Sequence, residues 1–400
     1  MLATLDQPNL DSREFEVPPG CKIFIDDKEI KDLYPFVKQV KVNTARLQAS
    51  DATVEFQDVV GYNSEGEHWM VQDDPRLIVG AAIKLVITFN KEEHLLFTGF
   101  LGQMKVSFSK AQGQADLTLE CQDETLKLDQ NHKTVQHQVG EKKLSDGEIV
   151  KSLLRTHGVQ VSEGSIAKGL TCDKVTQTGS PIQLINARAR ANGFEFYIEN
   201  GVPYFGPMRL DGAPQGPDIK VQFGGQSNCI RFQVTTDVMS PTKVFFEHAQ
   251  PEKDGKIIKP ILYPFEPNLT LLGDIDARGE KTALGQSDWF LSKSETTDLV
   301  QAKVTAQFKI NEASMRIKAN GELDGLLYKN ILRSGQTVKV VGAGERNSGI
   351  YYVDTVEHKV SAAGYTQNFK LLRNAISTQV TLATKAGLGD NVMETFNGAF

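Results

Sequence analysis

The chain has 400 residues, 40% of them hydrophobic and 24% charged, with 34 glycines and 15 prolines spread along it. That length excludes a single ordinary core, and that composition excludes a disordered polymer. With 44 basic and 50 acidic residues the net charge is -6 and no basic block occurs, which argues against a dedicated nucleic-acid binder.

The opening segment, MLATLDQPNLDSREFEVPPG, has neither the basic start nor the apolar centre of a secretory signal. No run of about 18 apolar residues follows anywhere, so the chain is expected to be made in a cytoplasm, without stable membrane insertion. From Cys21 to about Leu128 the pattern has period two. Ile83, Leu85 and Ile87 alternate with Lys84, Val86 and Thr88, and Leu117, Leu119 and Cys121 alternate with Thr118, Glu120 and Gln122. GYNSEG at 61–66 reads as a hairpin tip.

After Gly140 the period changes. Ser145 and Glu148 form a capping box ahead of an apolar helical face of Ile149, Val150, Leu153 and Leu154, which stops at Gly158. A second helix starts with Ser180 as cap, Pro181 in the first turn and Gln183 closing the box, and it stops at Gly193. Asn200-Gly201 between two aromatic-rich runs is a strong hairpin signal. Strand patterns return at KVQFGG, CIRFQVTTDV and KVFFEHA. Residues 251–299 are Pro-rich and polar and read as an insertion that wraps a surface or a neighbour. TDLVQAKVTAQFKINEASMRIKAN fits one helix or two strands, with helix favoured.

The fold class is therefore expected to be mainly β with an α+β insertion. Two tube-like β-barrel domains per chain accompany a small α+β domain. The boundaries are 1–133 for the first barrel, 134–210 for the α+β domain, and 211–250 with 300–375 for the second barrel. Residues 251–299 are the insertion and 376–400 a C-terminal tail. The two β regions repeat one another. GAAIKLVITF (80–89) matches GQTVKVVGAG (335–344), and each is followed by turn, strand, turn and closing strand.

Chemistry-bearing motifs are scarce. VGAGERNSG (341–349) looks like a phosphate-binding loop, but a strand follows where a dinucleotide site needs a helix, so Gly342, Gly344 and Gly349 read as turn residues. His132 and His137 are too far apart for one helical face and read as polar loop residues. Asp26-Asp27, Asp73-Asp74 and Glu92-Glu93 do not converge on one substrate, since neighbouring strand residues point to opposite faces, and they read as solvated hairpin tips. Cys21, Cys121, Cys172 and Cys229 lack any Cys-x-x-Cys pair and read as free buried thiols. No catalytic, metal or cofactor-binding residue is expected, and no cofactor.

SPIQLINARARANGFEFYIENGVPYFGP resembles the helix and hairpin of the phage late control protein D family. RSGQTVKVVGAGERNSGIYYVDTVEHKVSAAGYTQNFKLLRN resembles that family's closing barrel, and the likeness in layout runs over about residues 20–375. The family supplies the baseplate hub of contractile tails and injection systems, including the hub part of VgrG. The resemblance implies a non-enzymatic structural protein made in a bacterial cytoplasm and built into a virion tail or injection particle. It implies a homotrimer forming a pseudo-six-fold ring, with the tail tube or tube-initiator protein above, a spike protein below, other baseplate proteins around it, and transient passage of DNA or effector cargo. VgrG-like chains continue into a needle, whereas this sequence ends at Phe400, so the spike is expected to be a separate protein. A cell-wall hydrolase and a carbohydrate-binding β protein, the latter suggested by Trp69, Trp289 and nine tyrosines, are the alternatives.

Within the closing stretch, strict alternation puts Asp354 and His358 on one strand face with Tyr352, Val356 and Val360, and Glu357 on the other. The stretch reads as the last hairpin of the second barrel. Tyr351, Tyr352, His358, Tyr365 and Phe369 are its candidate interaction residues, filling that core or a subunit contact.

Overall fold

A computed structural model describes residues 20–377, apart from 64–65, 90, 109–112, 138–142, 173–174, 238–239, 249–260, 279–286 and 292–298. Of the expected C-terminal tail, residues 378–400 lie outside the described residues. The first half consists of β1 (Cys21–Ile25), β2 (Val37–Ala45), β3 (Asp51–Asn63), β4 (Ala82–Phe89), β5 (Glu92–Phe108) and β6 (Gln114–Gln122). Their period-two pattern has a direct structural consequence. In β6, Ala115, Leu117, Leu119 and Cys121 are buried while the intervening residues face outward.

The middle of the chain switches period and architecture together. Helix α1 (Asp146–Thr156) carries a complete capping box. The Glu148 N–H donates to Ser145 Oγ, and the Ser145 N–H donates to Glu148 Oε2. Helix α2 (Pro181–Asn192) starts with proline in its first turn and ends where Gly193 turns left-handed at φ 65°. The hairpin of β7 (Glu195–Glu199) and β8 (Val202–Gly206) turns at Asn200 and Gly201, φ 49° and 79°. Positive φ at both positions is what Asn-Gly supplies cheaply and what the strand twist requires. These elements share a core of their own, with Ile149, Leu154, Ile185, Phe196 and Phe205 at its centre.

Beyond it come β9 (Ile219–Lys220), β10 (Cys229–Thr236), β11 (Lys243–His248), β12 (Ile261–Phe265), β13 (Asp288–Leu291), α3 (Leu299–Ser314), β14 (Ile317–Asp324), β15 (Thr337–Val341), β16 (Gly349–Ser361) and β17 (Gly364–Arg373). The ambiguous 297–320 stretch thus resolves into a helix followed by a strand. Two expectations change here. Lys243–His248 does not join the second barrel; it forms a separate sheet with β12 and β13 from the insertion. The reason is its buried face, since Val244 and Phe246 pack on Ala302, Ala306 and Ile310 of α3. His137 is not a loop residue but ends a strand, Lys133–His137, with its Nε2 3.0 Å from Gln177 Oε1.

One sheet runs through both halves in the order β10-β14-β17-β16-β2-β3-β6-β5-β4-β1, with β15 beside β16 and β9 beside β15. The halves repeat each other strand for strand: β2-β3-β6-β5-β4-β1 corresponds to β10-β14-β17-β16-β15-β9. Irregularities repeat as well. A bulge between Leu101 and Gln103 matches one between Val353 and Thr355, and one between Val37 and Gln39 matches one between Cys229 and Arg231. Bulges mark register, so their recurrence at equivalent places goes beyond what any two meanders would share. The last pairing differs, because β1 runs antiparallel to β4 and β9 parallel to β15.

Candidate assembly interface

The five residues singled out in the closing hairpin are all buried by this chain's own packing, none more than 2% exposed. Of the two expected roles, core filling or a subunit contact, this burial fits core filling. Tyr351 and Phe369 lie in the second-half core. The Tyr351 hydroxyl donates to the Asn347 carbonyl at 2.7 Å, and the Arg373 guanidinium stacks over its ring. Tyr365 reaches across into the first-half core, where it meets Phe89 with ring centroids 5.9 Å apart. Gly325 leaves the space for that ring, since a Cβ there would sit 2.0 Å from Tyr365 Cδ1.

His358 is buried with Nδ1 2.9 Å from the Tyr365 hydroxyl. Burial, aided by the Arg333 charge, pushes its pKa down to about 3, so the ring stays neutral and structural. The expected facing of Asp354 and Tyr352 also changes. The bulge at Asp354 breaks strict alternation, so Val356, His358 and Val360 share one buried face while Tyr352 joins a different core cluster.

Sequence reading missed a cluster that ties three parts of the chain together. Arg46, 4% exposed at the end of β2, donates to Asp354 at 2.7 Å, to Glu312 of α3 at 2.7 and 3.0 Å, and to Glu195 of β7 at 2.8 Å. The Tyr352 hydroxyl donates to the other Glu195 oxygen at 2.6 Å. Burial works against the Arg46 charge, but the three carboxylates hold its pKa above the ordinary range. Burial raises Glu195, opposed by Arg46 and the Tyr352 hydrogen bond. No local signal in the sequence marks this cluster, because its members are scattered between residues 46 and 354.

The same corner contains the junction of the two halves. There β2 lies antiparallel along the far part of β16: Thr44 faces Val356, Val42 faces His358 and Val40 faces Val360. The corresponding edges elsewhere are open among the described residues. The far part of β5, Gln103–Phe108, pairs with β6 on one side only, and β10 pairs with β14 on one side only. Phe108 is 64% exposed and Ile230 59%. Beside β10, an open groove of about 980 Å³ is lined by Gln233, Thr235, Trp289, Phe308, Glu312 and Lys370.

Among the described residues, no group of three or more His, Cys, Asp or Glu side chains is placed to hold a metal ion. Asp123 is a buried carboxyl pushed up to about 6 by burial, and the N–H groups of Ser50 and Thr125 satisfy it. The Cys21 and Cys121 thiols are free and buried, and burial raises both to about 12. Such thiols are not nucleophiles at neutral pH. No helix among these residues is long and apolar enough to cross a membrane.

The family model described as Alg8 N-terminal domain matches residues 18–362. No curated protein matches the sequence. Among solved structures, the 43 kDa tail protein of prophage MuSo2 from Shewanella oneidensis is similar at TM-score 0.65 and 11% identity, over 88% of this chain and 98% of that one. A tail protein from Neisseria meningitidis MC58 is similar at TM-score 0.61 and 13% identity, over 89% and 97%. An Escherichia coli component of the type VI secretion system is similar at TM-score 0.51 and 10% identity, over 84% and 73%. At these identities the likeness is one of fold, and the mainly β fold of this chain is that of phage-tail-related proteins.

Proposed function

The chain belongs to the Alg8 N-terminal domain family, and from its tail-protein fold we propose that it is the structural baseplate hub of a contractile tail or injection system, a relative of the late control protein D hubs. Three copies form a pseudo-six-fold ring that joins a hexameric tube above to a trimeric spike below. The chain's part is mechanical and not enzymatic. It is made in a bacterial cytoplasm and incorporated into the tail or injection particle, where other baseplate proteins surround it and DNA or effector cargo passes through.

The observation that carries this reading is the duplicated sheet. One chain presents two equivalent sheet units with bulges at two matched places, so a ring of three chains presents six. That is the arithmetic an adaptor between six-fold and three-fold partners requires. The open edges agree with it, because an exposed strand edge invites another strand or aggregates. An interface of the obligate kind should exceed about 2,000 Å² in total. Mass photometry of the purified chain, alone and mixed with its spike, should give a trimer; a monomer under every condition sinks the proposal.

A further inference from the structure

The internal junction supplies a template for a contact that the single chain leaves half-made. In the repeat β10 is the counterpart of β2 and β5 the counterpart of β16, fixed by the two pairs of matched bulges. Phe232 takes the place of Val40 and Val234 that of Val42. Likewise Val106 takes the place of His358, and Phe108 that of Val360. Inside the chain β2 and the far part of β16 are joined. Their counterparts are far apart in the sheet order, and both are open on one side among the described residues.

We propose that Met104–Phe108 of one copy pairs antiparallel with Phe232–Thr236 of a second copy of this chain. The register is that of the internal junction, with Met104 opposite Thr236, Val106 opposite Val234 and Phe108 opposite Phe232. This rests on the hub reading and names the surface by which its ring closes. The side-chain pattern favours this register. Met104 and Val106 are half-buried and Phe108 exposed on one edge, with Phe232 and Val234 half-buried on the other. Lys105, Ser107, Gln233 and Thr235 between them are exposed.

Directly opposed residues in an antiparallel pair share a face, so this register sets Val106 and Phe108 against apolar partners. A slip of one residue sets them against Gln233 and Thr235. The contact is head to tail, joining two different surfaces, so each copy uses one edge of each kind and a closed ring leaves none open. The cross-copy junction differs from the internal one in chemistry. Where the internal junction buries His358 and has Asp354 at its bulge, the other has Val106 and Gly102 at the matched positions.

The test is a pair of cysteines, Ser107→Cys with Gln233→Cys, opposed in this register and both at exposed positions. Opposed Cα atoms lie about 4.5–5.5 Å apart, within disulfide reach. On oxidation the double variant should run on a non-reducing gel as covalent oligomers up to the size found in solution. Either single variant should remain a monomer on the gel. Ser107→Cys with Arg231→Cys, two residues out of register, should link at least about tenfold less. An oligomer that fails to cross-link, or links equally well out of register, overturns the strand pairing and leaves the hub reading standing. A chain that stays monomeric, alone and with its spike, overturns both.

Discussion

The two halves of the sheet share strand order and two matched bulges but fill equivalent positions differently. Val106, Ala115 and Leu117 of the first half correspond to His358, Tyr365 and Gln367 of the second. In the second half these residues are buried and hydrogen-bonded: His358 to Tyr365, and Gln367 to the Leu332 N–H and the Asn330 carbonyl. The first half has small or aliphatic groups there. A junction formed once, within a folding chain, can bury polar groups because their partners are covalently present. An edge that must remain soluble until it meets another molecule does better with backbone and modest apolar groups, since a buried charge without its partner is costly. The difference teaches which of the two contacts is permanent.

The comparison breaks most easily at Arg46. Removing it in Arg46→Ala leaves Glu195 buried without its cation, and urea unfolding should show a loss of about 3–5 kcal/mol. By contrast Lys105→Ala, which removes an exposed ion pair to Glu120 in the first half, should change stability by no more than about 0.5 kcal/mol. Equal effects would abolish the distinction between a polar locked junction and a free edge.

Acid separates the halves next. His358 is buried with its pKa lowered to about 3, while the unfolded chain takes a proton there near pH 6.5. The folded pKa is the lower one, so the full stability is present above pH 6.5 and falls as pH drops from 6.5 toward 3. The single site accounts for roughly 4 kcal/mol at the bottom of that window. A His358→Gln variant should lose this part of the slope, seen as converging unfolding free energies of variant and parent between pH 7 and pH 4. The matched Val106 contributes no such slope.

Smaller effects sharpen the picture. Gly325→Ala drives a methyl into the Tyr365 ring and should cost about 1–3 kcal/mol by thermal melting. Gly102→Ala at the first-half bulge meets nothing nearer than 3.5 Å and should stay within about 0.5 kcal/mol. Phe108→Lys, at a largely exposed site, should also melt within about 0.5 kcal/mol of the parent. Its effect should fall on assembly, lowering the oligomer fraction in mass photometry.

By itself the sequence determined the local structure wherever a short-range signal has a short-range cause. Ser145, Glu148, Ser180, Pro181 and Gln183 cap their own helices, Asn200-Gly201 turns its own hairpin, and alternation along β4 and β6 declares a buried face. The duplication was legible for the same reason, since repeated turns and strands recur at matching intervals. The tertiary structure alone decided the rest. Whether Lys243–His248 joined the long sheet depended on a helix some fifty residues later offering Ala302, Ala306 and Ile310. The bulge at Asp354 reassigned faces that alternation had set, because one extra residue shifts every side chain beyond it. The Arg46 cluster gathers charges from four distant elements, and its carboxylates become a binding set only after packing removes water around them. Which edges stay open is likewise a property of the whole sheet, since backbone donors and acceptors are the same in every residue and only their neighbours distinguish them.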